Sequence, residues 1–275
     1  MSEHPIAIAW LDLVAASVLI LVAVALSAWQ RLGLGNQIVL GAVRATVQLI
    51  AVGYLLVWVF AANRWDVVLA VLAVMVVVAT ITATRRQAKR WRDRMKILPI
   101  SAVAILAGAG LTLVYVSTVI VHVKPWYDPR YLIPLFGMIV ANAMNAAALA
   151  LERLQSEMES RRAEVEAYLA LGASPRQAAA EPARRAAVAA MIPAVNALAV
   201  VGIVSLPGMM TGQILAGADP TLAVRYQLVV MFMLTAANAI TAALTVQAYR
   251  RTFFTPAAQL RAREADESAQ ASPAG

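Results

Sequence analysis

The sequence predicts an all-α, polytopic membrane protein with about seven transmembrane helices. Of its 275 residues, 61% are hydrophobic and 14% are charged, whereas soluble domains are roughly 45–50% apolar and about 25% charged. The mean hydropathy is +0.72. The closely spaced apolar runs leave no room for a soluble domain, so we expect one transmembrane domain over residues 1–254. Residues 255–275 are polar and rich in small side chains, which predicts a disordered cytoplasmic tail.

Seven apolar runs approach the roughly 20 residues that a helix needs to cross a hydrocarbon core of about 30 Å. They lie at about 10–29, 38–62, 66–84, 98–121, 131–151, 188–206 and 222–248. The sixth run contains Pro193, which a membrane helix tolerates where neighbouring helices satisfy the freed carbonyl group. The N-terminus lacks the basic region and the cleavage site of a signal peptide, so we expect the first run to be a retained span.

Basic residues predict the orientation of the spans. The loop after the third run carries seven basic residues between Arg85 and Lys96 but a single acid, Asp93, as cytoplasmic loops do. Alternation from this loop places eighteen basic residues inside and three outside. The net charge of +8 therefore indicates contact with membrane lipid and not with nucleic acid. We expect a protein of the cell (inner) membrane with its N-terminus outside and its C-terminus in the cytoplasm.

The longest loop, residues 152–187, predicts two helices joined by a tight turn. The eight residues before Gly172 favour a helix, and Gly172 suits the left-handed conformation that ends one. Ser174 then caps a second helix, with Pro175 at its first position and Gln177 completing a capping box. Such an element fits a groove on a partner protein, and it equally fits an amphipathic hairpin that lies on anionic lipid.

Two blocks of this loop, Glu166-Ala167-Tyr168 and Leu171-Gly172-Ala173-Ser174-Pro175-Arg176-Gln177, resemble the EAA-type coupling segment of ABC transporter permeases. As in that segment, a glutamate precedes a glycine by six residues. The resemblance implies a cytoplasmic coupling helix that docks on an ATP-binding subunit through Glu166, Leu171, Gly172, Ala173, Ser174 and Pro175. Downstream the chain departs from the importer form, because Glu181-Pro182 stands in place of Ile-x-Leu-Pro.

Four further blocks extend the resemblance over nearly the whole chain. They are LGAVRATVQL at 40–49, KPWYDPRY at 124–131, Gly137-Met138 with Asn142 and Asn145, and SLPGMMTGQILAG at 205–217. These blocks resemble the FetB-type iron-export permeases, a family with plant relatives tied to aluminium tolerance. The resemblance implies a half-size permease that forms a homodimer, pairs with two copies of a separate ATPase and exports iron.

The chain has no nucleotide-binding motif of its own. It contains no G-x-x-x-x-G-K-[ST], the motif whose backbone cradle and lysine hold the phosphates of ATP. We therefore expect a permease subunit that is not an enzyme and binds no cofactor, with ATP and Mg²⁺ held by the partner subunit. A gradient-driven carrier is an alternative, but it predicts titratable residues inside the spans, and these are scarce. A membrane scaffold without transport activity is a third class.

Polar side chains inside spans are costly and therefore mark candidate substrate contacts. The predicted path comprises Arg44 and Gln48, which share a helix face in the second run, Met138, Asn142 and Asn145 along one stripe of the fifth, Asn196 in the sixth, and Thr235 and Asn238 in the seventh. Interhelical packing is an open alternative for the asparagines, and snorkelling to the membrane interface is one for Arg44.

Met209 and Met210 are weak candidates for a metal contact, since packing at a helix end explains them as well. Thioethers suit copper(I) better than iron, the chain has no cysteine, and its two histidines lie far apart. A hard cation prefers oxygen ligands, whereas an intramembrane Arg44 fits an anionic or chelated substrate. We therefore predict export of iron or a metal complex, with an anionic metabolite such as a nucleotide sugar as the alternative.

Overall fold

The computed structural model describes residues 10–85 and 91–261. Seven helices of this part of the chain are long and apolar enough to cross a membrane, which confirms the predicted fold class. They are α1 (Trp10–Trp29), α2 (Gly35–Ala62), α3 (Trp65–Arg85), α4 (Trp91–Tyr115), α5 (Pro129–Ser160), α8 (Ala180–Val200) and α10 (Pro220–Tyr249). Three short helices lie between them: α6 (Arg162–Ala170), α7 (Pro175–Ala178) and α9 (Gly208–Leu215).

The predicted bounds of the sixth span are wrong, because α8 begins and ends earlier than the predicted range 188–206. Its first turn is amphipathic, with Glu181 paired to Arg184 and Arg185 at 2.9 and 2.7 Å, and mean hydropathy does not detect such a turn. At the other end Val201 is extended. The remaining spans agree with the helices except that α4 and α5 run further towards the charged loops.

Aspartate caps and prolines begin the two central helices. The Asp128 carboxylate accepts a hydrogen bond from the backbone N–H of Arg130 at 2.9 Å, and Asp219 accepts from Thr221 and Leu222. Pro129 and Pro220 occupy the first positions of α5 and α10, where a missing N–H costs nothing. The hydrogen bonds from the Thr221 hydroxyl and the Leu222 N–H lower the pKa of Asp219. The cap of α10 is therefore ionised near neutral pH.

Helices α5 and α10 form the centre of the bundle. Helix α10 packs against α4, α5, α8 and α9, and α5 also packs against α3, α4 and α8. The buried side chains form two clusters. The first joins α3, α4, α5 and α10, and the second joins α5, α8 and α10 to α6, α7 and Phe254. We call the end of the bundle that carries α6 and α7 the loop end.

Helices α1 and α2 lie at the periphery. They pack against each other, and α2 makes only narrow contacts with α3 and α5. Of the most apolar 18-residue stretch in each of these two helices, only 6% is buried inside the bundle, whereas the buried share is 50% in α5 and in α10. Their exposed apolar side chains are compatible with lipid, since membrane lipid is as apolar as leucine.

The first residues of the predicted tail are folded. Thr255 and Gln259 pair through a backbone hydrogen bond of 2.8 Å, and the N–H of Arg261 donates to the carbonyl of Phe253 at 2.9 Å. This turn brings Leu260 against the second buried cluster. Residues 262–275 lie outside the described residues, as do Arg86, Lys89 and Arg90 of the basic loop and the side chains of Arg92 and Arg94. Disorder of the tail stays a prediction.

Candidate functional site

A cavity with a mainly apolar lining lies between α5, α8 and α10, and it opens to the surface of the chain beside the exposed Asn145, Pro193 and Ala197. Its volume is about 180 Å³. Four of its lining side chains are uncharged and polar, and they come from the middle of α5 and α10: Asn142, Asn145, Thr235 and Asn238. The remaining wall consists of small or apolar residues: Ala146, Leu149, Ala190, Pro193, Ala194, Ala197, Met231 and Leu234. We call this space the central cavity.

The hydrogen bonds of the cavity residues leave one buried oxygen atom unsatisfied. The side-chain amide of Asn142 donates to the Met138 carbonyl at 3.0 Å, and the Thr235 hydroxyl donates to the Met231 carbonyl at 2.9 Å. Asn238 is only 6% exposed, and its Oδ1 has no hydrogen-bond partner. An unsatisfied buried carbonyl costs about 1–3 kcal/mol, and Asn238 Oδ1 bears this cost because it is also buried away from accessible space.

The structure brings part of the predicted path together. Asn142, Asn145 and Asn238 line the central cavity, and Met138 contributes its backbone carbonyl to Asn142. Asn196 is exposed on α8 and does not line it.

Two further predicted path residues, Arg44 and Gln48, are exposed on peripheral α2 and do not line the central cavity. The sequence analysis missed Gln227 of α10, which is 5% exposed and has an unpartnered Oε1. A single glutamine in an apolar helix does not reveal which face is packed.

The predicted turn between α6 and α7 is present in detail. The backbone N–H of Ala173 donates to the Tyr168 carbonyl, and that of Gly172 donates to the Leu169 carbonyl, both at 3.0 Å. Gly172 has φ +86°. These two bonds with a left-handed glycine form a Schellman motif, which ends a helix and satisfies its last carbonyl groups.

Helix α7 starts with the predicted capping box. The N–H of Ser174 donates to Gln177 Oε1 at 2.9 Å, and the N–H of Gln177 donates to Ser174 Oγ at 3.4 Å. Pro175 occupies the first turn. The Schellman motif and the capping box meet within three residues, so the backbone between α6 and α7 is fixed by local hydrogen bonds.

The α6–α7 element, residues 162–178, is anchored on one side and exposed on the other. Val165 and Ala178 are buried at 1% and 3% exposure in the second cluster. Leu171 is 84% exposed at the tip of the turn. Glu166 is half-exposed and forms an ion pair with Arg162 at 2.9 Å. Leu171 is therefore accessible to a partner protein or to membrane lipid, the two contacts that the sequence left open for this element.

An open groove of about 610 Å³ separates the tip of the α6–α7 element from the start of α8. Its lining combines apolar and charged side chains: Tyr168, Leu171, Gly172, Ala173, Gln177, Ala178, Ala180, Glu181 and Arg184. All six predicted coupling residues lie in this region, and Leu171, Gly172 and Ala173 line the groove directly.

Met209 and Met210 lie in α9 and face the packed interior. Met210 is 9% exposed, and Met209 packs against the first buried cluster. Among the described residues, no group of three or more histidine, cysteine or carboxylate side chains is arranged to hold a metal ion. A metal contact at the two methionines stays a prediction.

A bundle of seven membrane-length helices, with a cavity between α5, α8 and α10 and a structured helical element at one end, defines a multi-pass membrane protein. The chain belongs to the Uncharacterised protein family (UPF0014), which it matches over residues 10–254. This finding confirms the family that the sequence blocks indicated.

Named relatives cover most of the chain. It is 44% identical to the UPF0014 membrane protein slr1647 of Synechocystis, over 84% of this chain and 88% of that protein. It is 36% identical to the Probable iron export permease protein FetB of Escherichia coli, over 90% and 93%, and 35% identical to Protein ALUMINUM SENSITIVE 3 of Arabidopsis thaliana, over 90% and 88%. No solved structure matches the chain significantly.

Proposed function

We propose that this chain is the permease subunit of an ABC-type exporter in the cell (inner) membrane, driven by a separate ATP-binding subunit that holds ATP and Mg²⁺. The observation that supports this most strongly is the α6–α7 element, which combines a locally fixed backbone with an exposed tip. A groove of about 610 Å³ beside the tip gives a partner a surface to grip.

The packing of this element provides a route to the central cavity. Val165 and Ala178 share the second cluster with Leu151 of α5, Ala190 of α8 and Val246 of α10. These three helices also form the walls of the cavity. Because close-packed interiors transmit displacements instead of absorbing them, movement of the α6–α7 element by a partner would shift the cavity walls relative to one another.

The working assembly in this proposal is a homodimer of the chain with two ATP-binding subunits. The position of Arg44 is an argument for a second copy of the chain. Arg44 is exposed on α2, about 14 Å along the helix axis from Gly35. An arginine in hydrocarbon costs roughly 2.5–3.5 kcal/mol on insertion scales. Contact with another chain would remove Arg44 from lipid.

The proposed substrate is iron or a metal complex. The relative named as a probable iron export permease supports this choice. The alternative, an anionic metabolite such as a nucleotide sugar, depended on an arginine in the substrate path, and Arg44 does not line the central cavity. Iron efflux from proteoliposomes that contain the chain and its ATPase tests the substrate, and efflux that continues without any ATPase would favour a gradient-driven carrier.

Replacing the exposed tip tests the coupling mechanism. We expect Leu171→Asp to reduce ATPase stimulation in proteoliposomes to the rate of the ATP-binding subunit alone, because a charge replaces the apolar contact. Insertion and thermal stability of the permease should stay unchanged, since Leu171 is 84% exposed. Ser156→Asp is the matched control, because Ser156 is exposed on α5 and does not line the groove. Normal stimulation by Leu171→Asp would contradict the proposed docking site.

A further inference from the structure

The arginines of the loop end differ in whether an acid neutralises them. Those of α5, α6 and α8 form ion pairs of 2.7–3.8 Å with glutamates one helical turn away: Arg153, Arg161, Arg162, Arg184 and Arg185. Within the described part of the chain, Arg176 of α7 and the two arginines that follow α10, Arg250 and Arg251, form no such pair. We call these three residues the arginine cluster.

The packing of the loop end brings the members of the cluster together, although α7 and the end of α10 are far apart in the sequence. Ala178, two residues after Arg176, and Tyr249, directly before Arg250, both belong to the second buried cluster. The positive charges of Arg176 and Arg251 are close enough to act on Arg250. Like charges repel, so an anion bound at the arginine cluster would relieve an unfavourable interaction.

The arginine cluster lies at the depth of the lipid headgroups. Residues 226–249 of α10 carry no charged side chain. As a helix they are about 36 Å long, slightly more than the hydrocarbon core of about 30 Å. Arg250 is the first charged residue beyond this stretch, and beside it Tyr249 and Phe253 form an edge-to-face pair with ring centroids 5.0 Å apart. Aromatic and basic side chains at the end of a membrane helix are typical of the interface.

The guanidinium groups of the cluster remain available to a ligand. Arg250 begins a 3₁₀ turn and is half-buried, and its Nη2 donates to Gln247 Oε1 at 3.0 Å. This bond holds one edge of the guanidinium in place and leaves its other N–H groups without an acceptor among the described residues. Arg176 and Arg251 are exposed. A guanidinium group binds phosphate through two parallel N–H···O bonds, which are strong because both partners are charged.

The position of the cluster favours a lipid over a protein as the source of the phosphate or other anion. None of its three residues lines the groove beside the tip of the α6–α7 element, so the cluster is separate from the proposed docking surface of the ATP-binding subunit. It lies instead at the end of a membrane-spanning helix, where basic pockets between helices bind the headgroups of anionic lipids.

We propose that Arg176, Arg250 and Arg251 bind the phosphate group of an anionic membrane phospholipid, which joins the α6–α7 element to the end of α10. Attraction of both elements to one anion replaces their mutual repulsion. This inference goes beyond the proposed function and does not depend on it, because neither an ATPase nor a transported substrate takes part.

The test uses the purified full chain in detergent micelles, without any ATP-binding subunit. The probes are phosphatidylglycerol, which is anionic, and phosphatidylcholine with the same acyl chains, which has no net charge. We expect native mass spectrometry to show preferential retention of phosphatidylglycerol, and thermal unfolding to show stabilisation by it. The variant Arg250→Gln with Arg251→Gln should bind phosphatidylglycerol about 25-fold more weakly, since each basic residue near an anionic surface contributes about fivefold.

The same double variant should be at least as stable as the wild type in phosphatidylcholine, because the substitutions remove repulsion. Its matched control is Arg153→Gln with Arg185→Gln. This control removes the same charge from the same end of the bundle, but from arginines that are paired with glutamates. It should bind phosphatidylglycerol as the wild type does.

Four outcomes would overturn the inference. Equal retention of the two lipids, or an equal loss of affinity in the control, would show that no specific lipid site exists. Equal stabilisation by inorganic phosphate would assign the cluster to a free anion. An ATP-binding subunit that binds the wild type but not the double variant in phosphatidylcholine would assign it to a protein contact. If the double variant unfolds, Arg176→Gln decides the question, with an expected loss of about fivefold.

Discussion

Gly108 allows α4 and α10 to approach each other closely. A Cβ atom built on Gly108 would lie 2.1 Å from Thr241 Oγ1 and 2.8 Å from the Ala237 carbonyl oxygen. Thr241 is fully buried and donates a hydrogen bond to the Ala104 carbonyl at 3.3 Å. Small residues at membrane helix interfaces permit such approach, and the interhelical hydrogen bond contributes about 0.6 kcal/mol.

We expect Gly108→Ala to destabilise the protein by about 1–3 kcal/mol, as overpacking of a close-packed core does. The Ala237 carbonyl belongs to the backbone of α10, so it cannot rotate away from the added methyl group. The free energy of unfolding in bicelles measures the effect. Gly110→Ala is the control on the same helix, because nothing lies within 4 Å of its added Cβ. Equal destabilisation by both substitutions would contradict the close approach.

The asparagines show how far single residues could be predicted. The sequence marked Asn142, Asn196 and Asn238 alike, because each is a polar side chain in an apolar run. The structure places the first and third in the central cavity and leaves Asn196 exposed. Which face of an apolar helix is packed depends on its neighbours, and in these helices hydrophobic residues surround the axis. Whether each asparagine lines the substrate path or packs against a neighbouring helix could therefore not be decided from the sequence.

At the scale of elements, the α6–α7 element was predictable because its signals are local. Gly172, Ser174 and Gln177 make hydrogen bonds within a few residues of themselves, so their spacing in the sequence is sufficient. The start of α8 was not predictable from hydropathy, since its first turn depends on ion pairs of Glu181 with Arg184 and Arg185. The groove beside these residues depends on tertiary packing, so no pattern in the sequence indicates it.

Helix α2 is the element that a second copy would cover. Arg44 and Gln48 lie one turn apart on it, and both are exposed in the single chain. The chain has no cysteine, so a single introduced cysteine is the one thiol available, and any cross-link between two chains joins that position in each of them. We expect Gln48→Cys to give a dimer of twice 29.3 kDa with a short bismaleimide in native membranes.

Leu49→Cys is the control for this cross-link. Leu49 is 72% exposed and is rotated by about 100° from Gln48 around the helix axis, so it should face lipid. Cross-linking at Leu49 to the same extent, or none at Gln48, would contradict a dimer contact along the Arg44 face.

At the scale of the whole molecule, the two buried clusters connect the loop end with the central cavity. The first cluster holds α3, α4, α5 and α10 together, and the second extends α5, α8 and α10 to the α6–α7 element. The same three helices therefore carry both the exposed tip and the cavity. In the proposed mechanism, a force applied at the tip would reach the central cavity through α5, α8 and α10, whereas α1 and α2 would lie outside this route.

The proposed coupling to an ATPase requires the loop end to lie in the cytoplasm, where ATP is available. Ser174 belongs to the loop end, and Lys124 lies in the connection between α4 and α5 at the opposite end of both helices. Both residues are exposed. Basic residues concentrated at the loop end predict the same orientation.

Cysteine labelling distinguishes the two orientations directly. In intact cells or right-side-out vesicles, we expect a membrane-impermeant maleimide to label Lys124→Cys at once and Ser174→Cys only after permeabilisation. The natural chain has no cysteine, so it serves as the unlabelled background. The reverse pattern would place the α6–α7 element where no ATPase can reach it. The groove and its exposed leucine would then need an extracellular partner, and transport would have to be driven by a gradient.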